Sequence, residues 1–275
     1  MKIKYLGTAA YEGIPAMFCE CEICKRSLLL GGKNVRTRSQ ALINDDLLID
    51  FNPDTYIHHL SYGIDFKKIE NCLISHSHSD HFYLEDIESS RRDYVHYNKN
   101  KTLNFYSGED AYFKLENACK NEYMKNAIIP HLMLKGKIYD IGRYKVLALP
   151  ANHDPKSSPL IYLIDDGQKT LFYCHDTGYF KDEVFEILKQ YNKKIDFISL
   201  DCTGGIQENW VNNHMSLPVV KKLLDKLYSM NLIDNKTIKV INHFSHNGLA
   251  TYDELIKKCQ NIDIIVSYDG LEIEF

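Results

Sequence analysis

The six residues His76-Ser77-His78-Ser79-Asp80-His81 constrain this chain more than any other feature. His76 and His78 are two apart, so an extended segment turns both imidazoles to one side, where they can clasp an ion. Asp80 and His81 follow as the chain turns toward a helix and project differently, which suits a second ion close to the first. With 12 histidines in 275 residues, a His-x-His-x-Asp-His match arises by chance roughly 0.002 times in such a composition. That improbability sets aside the competing reading, a solvated polar loop. Four ligands are too few for two ions. His153, Asp176 and His243 each stand just after an apolar run, ending at Leu149, Tyr173 and Ile241 respectively. Strand exits are where α/β sheets present functional groups. One such histidine alone is more often structural, but three of these residues beside a His-rich motif read as ligands.

The rest of the pattern predicts a layered α/β domain. Lys2–Leu6 reads as a strand, and Ala41–Ile43 with Leu47–Ile49 as a hairpin across Asn44-Asp45-Asp46. Cys72–Ser75, Val146–Leu149, Leu160–Ile164, Thr170–Tyr173, Phe197–Leu200, Ile238–Ile241 and Ile262–Val266 are further strand-like runs. Leu84–Tyr94 reads as a helix with acidic residues early and basic ones late. Ser216 with Pro218 opens another, carrying Val220, Leu223, Leu224 and Leu227 on one face. Thr251-x-x-Glu254 is a capping box for a third. Tyr11–Arg38 reads as irregular. No repeat, low-complexity tract or linker breaks the chain, so residues 1–275 are expected to form one domain.

Composition narrows the classes. Hydrophobic residues are 44% and charged residues 25%, ordinary globular usage. No apolar run approaches the roughly 18 residues of a membrane span, and MKIKYLGTAAYEGIP lacks the apolar stretch of a signal peptide. The expectation is a cytoplasmic protein with no membrane partner. The net charge of −4 and the lack of a basic block count against nucleic acid as a partner. Eight cysteines are present. Cys72, Cys119, Cys174, Cys202 and Cys259 are scattered and read as small buried hydrophobes. Cys19-x-Cys21-x-x-Cys24 is different, because three thiolates at this spacing point to metal. A closed tetrahedral zinc site needs a fourth ligand, and His246, three residues after His243, is the candidate. That pairing would tie a loop at about residues 13–40 to the C-terminal half of the chain.

On these residues the sequence resembles the metallo-β-lactamase superfamily. HSHSDH is its signature, and His153, Asp176 and His243 follow in the family's order of a later His, an Asp and a final His. The resemblance implies a four-layer αββα sandwich with a binuclear centre at one edge of the sheets. It implies that His76, His78 and His153 hold one ion, Asp80, His81 and His243 the other, and that Asp176 bridges them. Flavodiiron oxygen reductases of this fold carry Glu where His78 stands, and true β-lactamases carry Cys at the bridging position. Cys174, two residues before Asp176, is the one residue that could compete for that role. Within the superfamily, Gly7-Thr8-Ala9, Cys19–Cys24, Asn213-His214-Met215-Ser216 and His243-x-x-His246 resemble the phosphoribosyl 1,2-cyclic phosphate phosphodiesterase group. That group implies a structural zinc on Cys19, Cys21, Cys24 and His246, a general acid at His214, and a homodimer.

The residues then define an expected chemistry. Two divalent ions, Zn²⁺ or Mn²⁺, sharing a hydroxide suit attack on a small cyclic or linear phosphodiester. Asp80 and His214 are the expected catalytic side chains, with His214 donating the proton that a leaving alkoxide needs. Asp50 is expected to orient a ligand loop, and His175 to be structural. Arg36 and Arg38 read as solvated loop residues rather than phosphate ligands. Thr203-Gly204-Gly205 and Trp210 are candidates for the pocket wall. Residues 95–145 carry no motif and are expected to shape the substrate pocket. The alternatives are a lactonase or glyoxalase-II-like thioesterase, a nuclease of the transfer-RNA processing type, and a non-catalytic metal-binding protein.

Overall fold

The fold was analysed on a computed structural model, which describes residues 1–96 and 102–275. The first part of the chain lays down β1 (Lys2–Gly7), β2 (Gln40–Ile43), β3 (Leu47–Ile49), β4 (Asn71–Ile74), β5 (Leu103–Ser107) and β6 (Ile128–Leu132). The second adds β7 (Ile138–Ile141), β8 (Tyr144–Pro150), β9 (Leu160–Asp165), β10 (Thr170–Cys174), β11 (Phe197–Asp201), β12 (Ile238–Asn242) and β13 (Ile265–Val266). The last strand, β14 (Glu272–Glu274), returns to pair with β1. Helices are α1 (Glu22–Leu30), α2 (Thr55–Tyr62), α3 (Leu84–Ile87), α4 (Glu109–Ala118), α5 (Asp182–Tyr191), α6 (Leu217–Ser229) and α7 (Tyr252–Cys259).

Among the described residues the strands form two seven-stranded sheets, ordered β14-β1-β2-β3-β4-β5-β6 and β13-β12-β11-β10-β9-β8-β7. Each sheet is antiparallel at one end and parallel at the other, with β3 to β6 parallel in the first and β10 to β13 parallel in the second. Parallel neighbours need crossovers, which the helices supply. Alternation then sorts the side chains into layers. In β10, Leu171 and Tyr173 face the opposing sheet, while Phe172 and Cys174 join the core under α5 and α6. In β4, Leu73 faces inward, and Cys72 and Ile74 pack outward with Leu115 of α4. The result is the four-layer αββα sandwich, with one core between the sheets and another beneath each helical layer.

Three local expectations differ from the structure. The Tyr11–Arg38 segment is not wholly irregular, because it contains α1. This helix buries only Ile23, Cys24 and Ser27 and exposes Leu28, Leu29 and Leu30, so it has no apolar stripe to betray it. The helix expected over Leu84–Tyr94 is one α turn, α3, followed by a 3₁₀ turn at Glu88–Ser90. There the Ser89 hydroxyl donates to the Asp86 carbonyl at 2.6 Å, competing with helix continuation. The strand expected over Ile262–Val266 keeps only Ile265 and Val266. The capping box of Thr251 and Glu254 is present at α7. Ser216 stands at the N-cap of α6, but its hydroxyl makes no capping bond. Among the described residues no helix is long and apolar enough to cross a membrane.

Candidate metal centre

The site lies at strand exits, and the backbone turns sharply to build it. Asp50 after β3, Asp176 after β10 and His243 after β12 have φ of 67°, 51° and 63°. Left-handed backbone is tolerable for Asp and less so for His, and such strain concentrates at functional sites. Each turn lifts a side chain off its strand toward the common edge where the 76–81 loop leaves β4.

Two ligand groups face each other there. His76, His78 and His153 form one, and Asp80, His81, Asp176 and His243 the other. His78 Nδ1 lies 3.0 Å from His76 Nε2 and 3.3 Å from His153 Nε2. His81 Nε2 lies 3.2 Å from both His243 Nε2 and Asp80 Oδ2. Asp176 Oδ2 stands between the groups, 3.4 Å from His76 Nε2, 3.3 Å from His243 Nε2 and 2.7 Å from His81 Nε2. Ligand nitrogens on one tetrahedral ion sit about 3.3 Å apart, so these spacings fit a shared cation. Asp176 Oδ1 is buried and makes no aligned hydrogen bond, although His214 Nδ1 lies 3.1 Å from it, which leaves its lone pairs able to take a cation.

The nitrogens turned away from the cluster are held as well. With Nε2 toward the site, His81 Nδ1 donates to Asp50 Oδ2 at 2.7 Å, and His76 Nδ1 to Ser75 Oγ at 3.1 Å. The Ser75 amide and hydroxyl both donate to Asp50, at 2.7 and 3.1 Å. His153 Nδ1 donates to the Asn213 carbonyl at 3.1 Å, and His243 Nδ1 to Thr203 Oγ1 at 2.8 Å. His78 Nε2 faces Asp154 at 3.4 Å. Such partners fix the orientation and basicity of ligands. Burial and neighbouring His81 push the His76 pKa well down, favouring the neutral form that binds metal. Burial alone would raise the Asp176 pKa, but His243, His214 and the other facing imidazoles hold it well below the usual carboxylate range.

Asp201, at the end of β11, went unnoticed in the sequence. Its Oδ2 lies 3.2 Å from His214 Nδ1 and 3.4 Å from His243 Nδ1, and it accepts from the Asp176 amide at 3.1 Å. Its Oδ1 accepts from the Thr203 and Met215 amides at 3.0 and 2.9 Å. One buried carboxylate thus braces the Asp176 turn, His243 and the loop carrying His214. Burial works against its charge, yet His214 and His243 hold its pKa well below the ordinary value. His214 Nδ1 is also 3.1 Å from Asp176 Oδ1, and a quarter of its side chain is exposed. Gly205 is required where this loop crosses the His246–Gly248 turn, since a Cβ there would lie 2.1 Å from the Gly248 carbonyl oxygen.

The second cluster joins Cys19, Cys21, Cys24 and His246. His246 Nδ1 lies 3.5 Å from Cys19 Sγ and 3.4 Å from Cys21 Sγ, against about 3.6 Å for sulfur and nitrogen on one tetrahedral zinc. Cys21 is the N-cap of α1, and its sulfur accepts from the Cys24 amide at 3.4 Å. Burial opposes ionisation of Cys21, but that amide, His246 and the flanking thiols bring its pKa down to about 6. A thiolate at a helix N-terminus is a ready metal ligand. Gly7-Thr8-Ala9 ties this region to the C-terminal half, because the Phe244 amide donates to the Thr8 carbonyl and the Ala10 amide to the Phe244 carbonyl, both at 2.8 Å.

Other sequence candidates fall elsewhere. Cys174 packs in the helix-side core with no exposed surface, because strand alternation ends before the Asp176 turn, so it does not compete for the bridge. His175 is buried, with Nε2 2.7 Å from Ser199 Oγ. Arg36 is not solvated as expected. It is 3% exposed, donates to Thr8 Oγ1 and the Ser267 carbonyl, and lies 4.1 Å from the Phe244 ring centroid. Arg38 pairs with Asp54 at 3.0 Å. Thr203 and Trp210 line a cleft of about 560 Å³ over the centre, together with His214 and Glu12. The expectation that residues 95–145 shape this pocket is overturned for those described. They build β5, α4, β6 and β7 and do not line the cleft, although the Ser77 hydroxyl donates to Asp110.

Comparisons with known proteins bear on the fold and the family. Over its whole length the chain is similar to a structure described as a new diphosphatase from the PhnP family, at 21% identity, 98% coverage of that chain and a TM-score of 0.75. It is similar, again over its whole length, to Zn²⁺-bound PqqB from Methylobacterium extorquens, at 15% identity, 100% coverage and TM-score 0.73. Human tRNase Z, short form, follows at 12% identity, with 100% of this chain and 99% of that one covered, and TM-score 0.66. At these identities the likeness concerns the fold. Among curated proteins, 94 residues are 33% identical to an octanoyltransferase of Porphyromonas gingivalis. That stretch covers 32% of this chain and 18% of the curated protein. The family model described as Beta-lactamase superfamily domain matches residues 47–243, from β3 through the final histidine of the centre, and the chain belongs to that superfamily.

Proposed function

We propose that this chain is a binuclear metal-dependent hydrolase of small phosphodiesters. The observation that carries the reading is His214, held between Asp201 and Asp176 at 3.2 and 3.1 Å and partly open to the cleft. An alkoxide leaving a phosphodiester needs a proton, whereas a thiolate or a stabilised phenolate does not. A positioned imidazole backed by a buried carboxylate therefore favours the phosphodiester over a thioester. His76, His78 and His153 would hold one divalent ion, Asp80, His81 and His243 the other, and Asp176 both. Zinc or manganese suits this mixed imidazole and carboxylate set, and zinc the Cys19, Cys21, Cys24 and His246 site. When bound, the paired ions supply Lewis acidity and a water acidified toward neutrality. Asp50, Thr203 and Asn213 keep the ligand imidazoles in place, while Asp201 aims His214 at the leaving group.

The first measurement is hydrolysis of bis-p-nitrophenyl phosphate with added Mn²⁺, beside an Asp80→Ala control. Turnover in the wild type and its loss in the control are expected, and a fully metallated protein with no turnover would move the reading to thioesters or lactones. His214→Ala should cost on the order of a hundredfold on alkyl diesters and far less on nitrophenyl esters. Equal losses on both would remove the proton-donor role.

A further inference from the structure

The cysteine cluster and the cleft share a residue. On the zinc reading of Cys19, Cys21, Cys24 and His246, and whatever the substrate, we infer that Glu12 is a positioning residue for that zinc. Its carboxylate fixes His246 from the side turned away from the sulfurs while it forms part of the cleft wall. An imidazole binds a metal through one nitrogen, and a partner on the other nitrogen keeps the ring aimed. His246 turns Nδ1 to the sulfurs, 3.5 Å from Cys19 Sγ and 3.4 Å from Cys21 Sγ. Metal at Nδ1 leaves the ring proton on Nε2, and Nε2 lies 3.5 Å from Glu12 Oε1. A small closing movement turns that approach into a charge-assisted hydrogen bond.

The carboxylate is itself held. Ser245 Oγ donates to Glu12 Oε1 at 2.5 Å and accepts from the Asn247 amide at 3.0 Å. One hydroxyl thus caps the 3₁₀ turn His246–Gly248 and gives its proton to Glu12. The backbone beside Glu12 is pinned as well. The Gly13 amide donates to the Ala10 carbonyl at 3.1 Å, and Ile14 and Arg36 exchange backbone bonds at 3.0 and 2.7 Å. The contact is partly shielded from water, with 27% of the Glu12 side chain and 14% of His246 exposed, so the charge on the acceptor counts. The same turn braces the cleft from its other side, because the Ile206 amide donates to the Gly248 carbonyl at 3.0 Å in the loop that carries Trp210 and His214 to the cleft. Glu12 stands where the cysteine cluster, this turn and the cleft wall meet.

The test follows zinc leaving the fully metallated protein for a chromogenic chelator. Zinc that the chelator takes slowly, and that an organomercurial frees at once by capturing the thiolates, is the cluster's. Glu12→Ala is expected to speed that slow release about 10–100-fold. Glu12→Gln keeps an oxygen to accept from Ser245 and His246 but loses the charge, so it should speed release only several-fold. Cobalt in place of the cluster's zinc gives a spectroscopic readout: its visible bands should shift in Glu12→Ala and less in Glu12→Gln, as the donor strength of His246 changes with its partner. If Glu12→Ala does not fold, Glu12→Gln decides, and a release rate and bands equal to the wild type overturn the inference. Slow release unchanged in Glu12→Ala overturns it too and leaves the zinc reading standing. Equal acceleration in both variants with unshifted bands also overturns it, since Glu12 would then only pack the turn. A wild type without any zinc that the organomercurial frees rejects the zinc reading and the inference together.

Discussion

His243 and His246 stand three residues apart on one segment, yet they serve clusters of opposite design. The centre at His243 draws histidines and carboxylates from four strand exits and their loops, and opens onto a cleft. The centre at His246 uses three sulfurs from a six-residue stretch and one imidazole, a closed set of the kind that suits a structural zinc. The first needs a braced outer ring, because its ligands come from distant parts of the chain: Asp50, Ser75, Asn213, Thr203 and Asp201 each hold an imidazole or its loop. The second is largely organised by one helix start, where Cys21 caps α1. Distant ligands need outer partners, and local ligands need a turn.

This contrast can be broken at several levels. The largest effect is expected from Cys21→Ser. Structural zinc contributes apparent binding energies of roughly 10–16 kcal/mol in small domains, comparable with the whole net stability of a fold. The variant should lose one zinc by metal analysis and melt far below the wild type by circular dichroism. An unchanged melting temperature would mean that the cluster is not structural. Dialysis against a chelator should come next. The open centre is expected to empty first, abolishing activity reversibly, while the cysteine-held zinc and most of the thermal stability remain. Simultaneous loss of both would erase the distinction. Asp50→Asn, which weakens the grip on His81 and the 76–81 loop, should cost about 10–100-fold in metal affinity or activity, read by competition with a metal indicator.

A separate effect is a pH dependence away from both clusters. His58 is buried, with Nδ1 2.6 Å from Gln40 Oε1, and burial lowers its pKa to about 4 from the ordinary 6.5. The unfolded chain therefore takes up this proton at higher pH than the folded one. The contribution is complete above pH 6.5 and is lost as pH falls from there toward 4, by about 3 kcal/mol at most. Urea midpoints of the chelator-treated protein should fall less steeply with acid in His58→Gln than in the wild type. Parallel slopes would exclude His58 as a source.

Much of this was legible in the residues. HSHSDH and the Cys19–Cys24 cluster concentrate unusual chemistry in few positions, and His153, Asp176 and His243 stand where apolar runs end. Asp201 stands at the end of a run in the same way, in FISLD, just as Asp50 does in LLID. An acidic residue after a strand is too common to be noticed without the histidines it braces. The helices were harder to read where burial is slight. α1 buries three residues and carries no hydrophobic period, and the helix expected over Leu84–Tyr94 is too long, since α3 buries only Ile87. The cleft wall was misassigned because residues 95–145 were distinguished only by lacking motifs, whereas Glu12, in the loop before the cysteines, lies beside His246 only after the chain has closed on itself.

That closure sets a schedule on synthesis. Cys21 and its partner His246 are separated by 225 positions, and β1 takes β14 as a neighbour at the opposite terminus. At translation speeds of roughly 5–20 residues per second, the three thiols leave the ribosome about ten to forty-five seconds before the imidazole that completes their site. Through that interval Cys19, Cys21 and Cys24 are without the imidazole that completes their set.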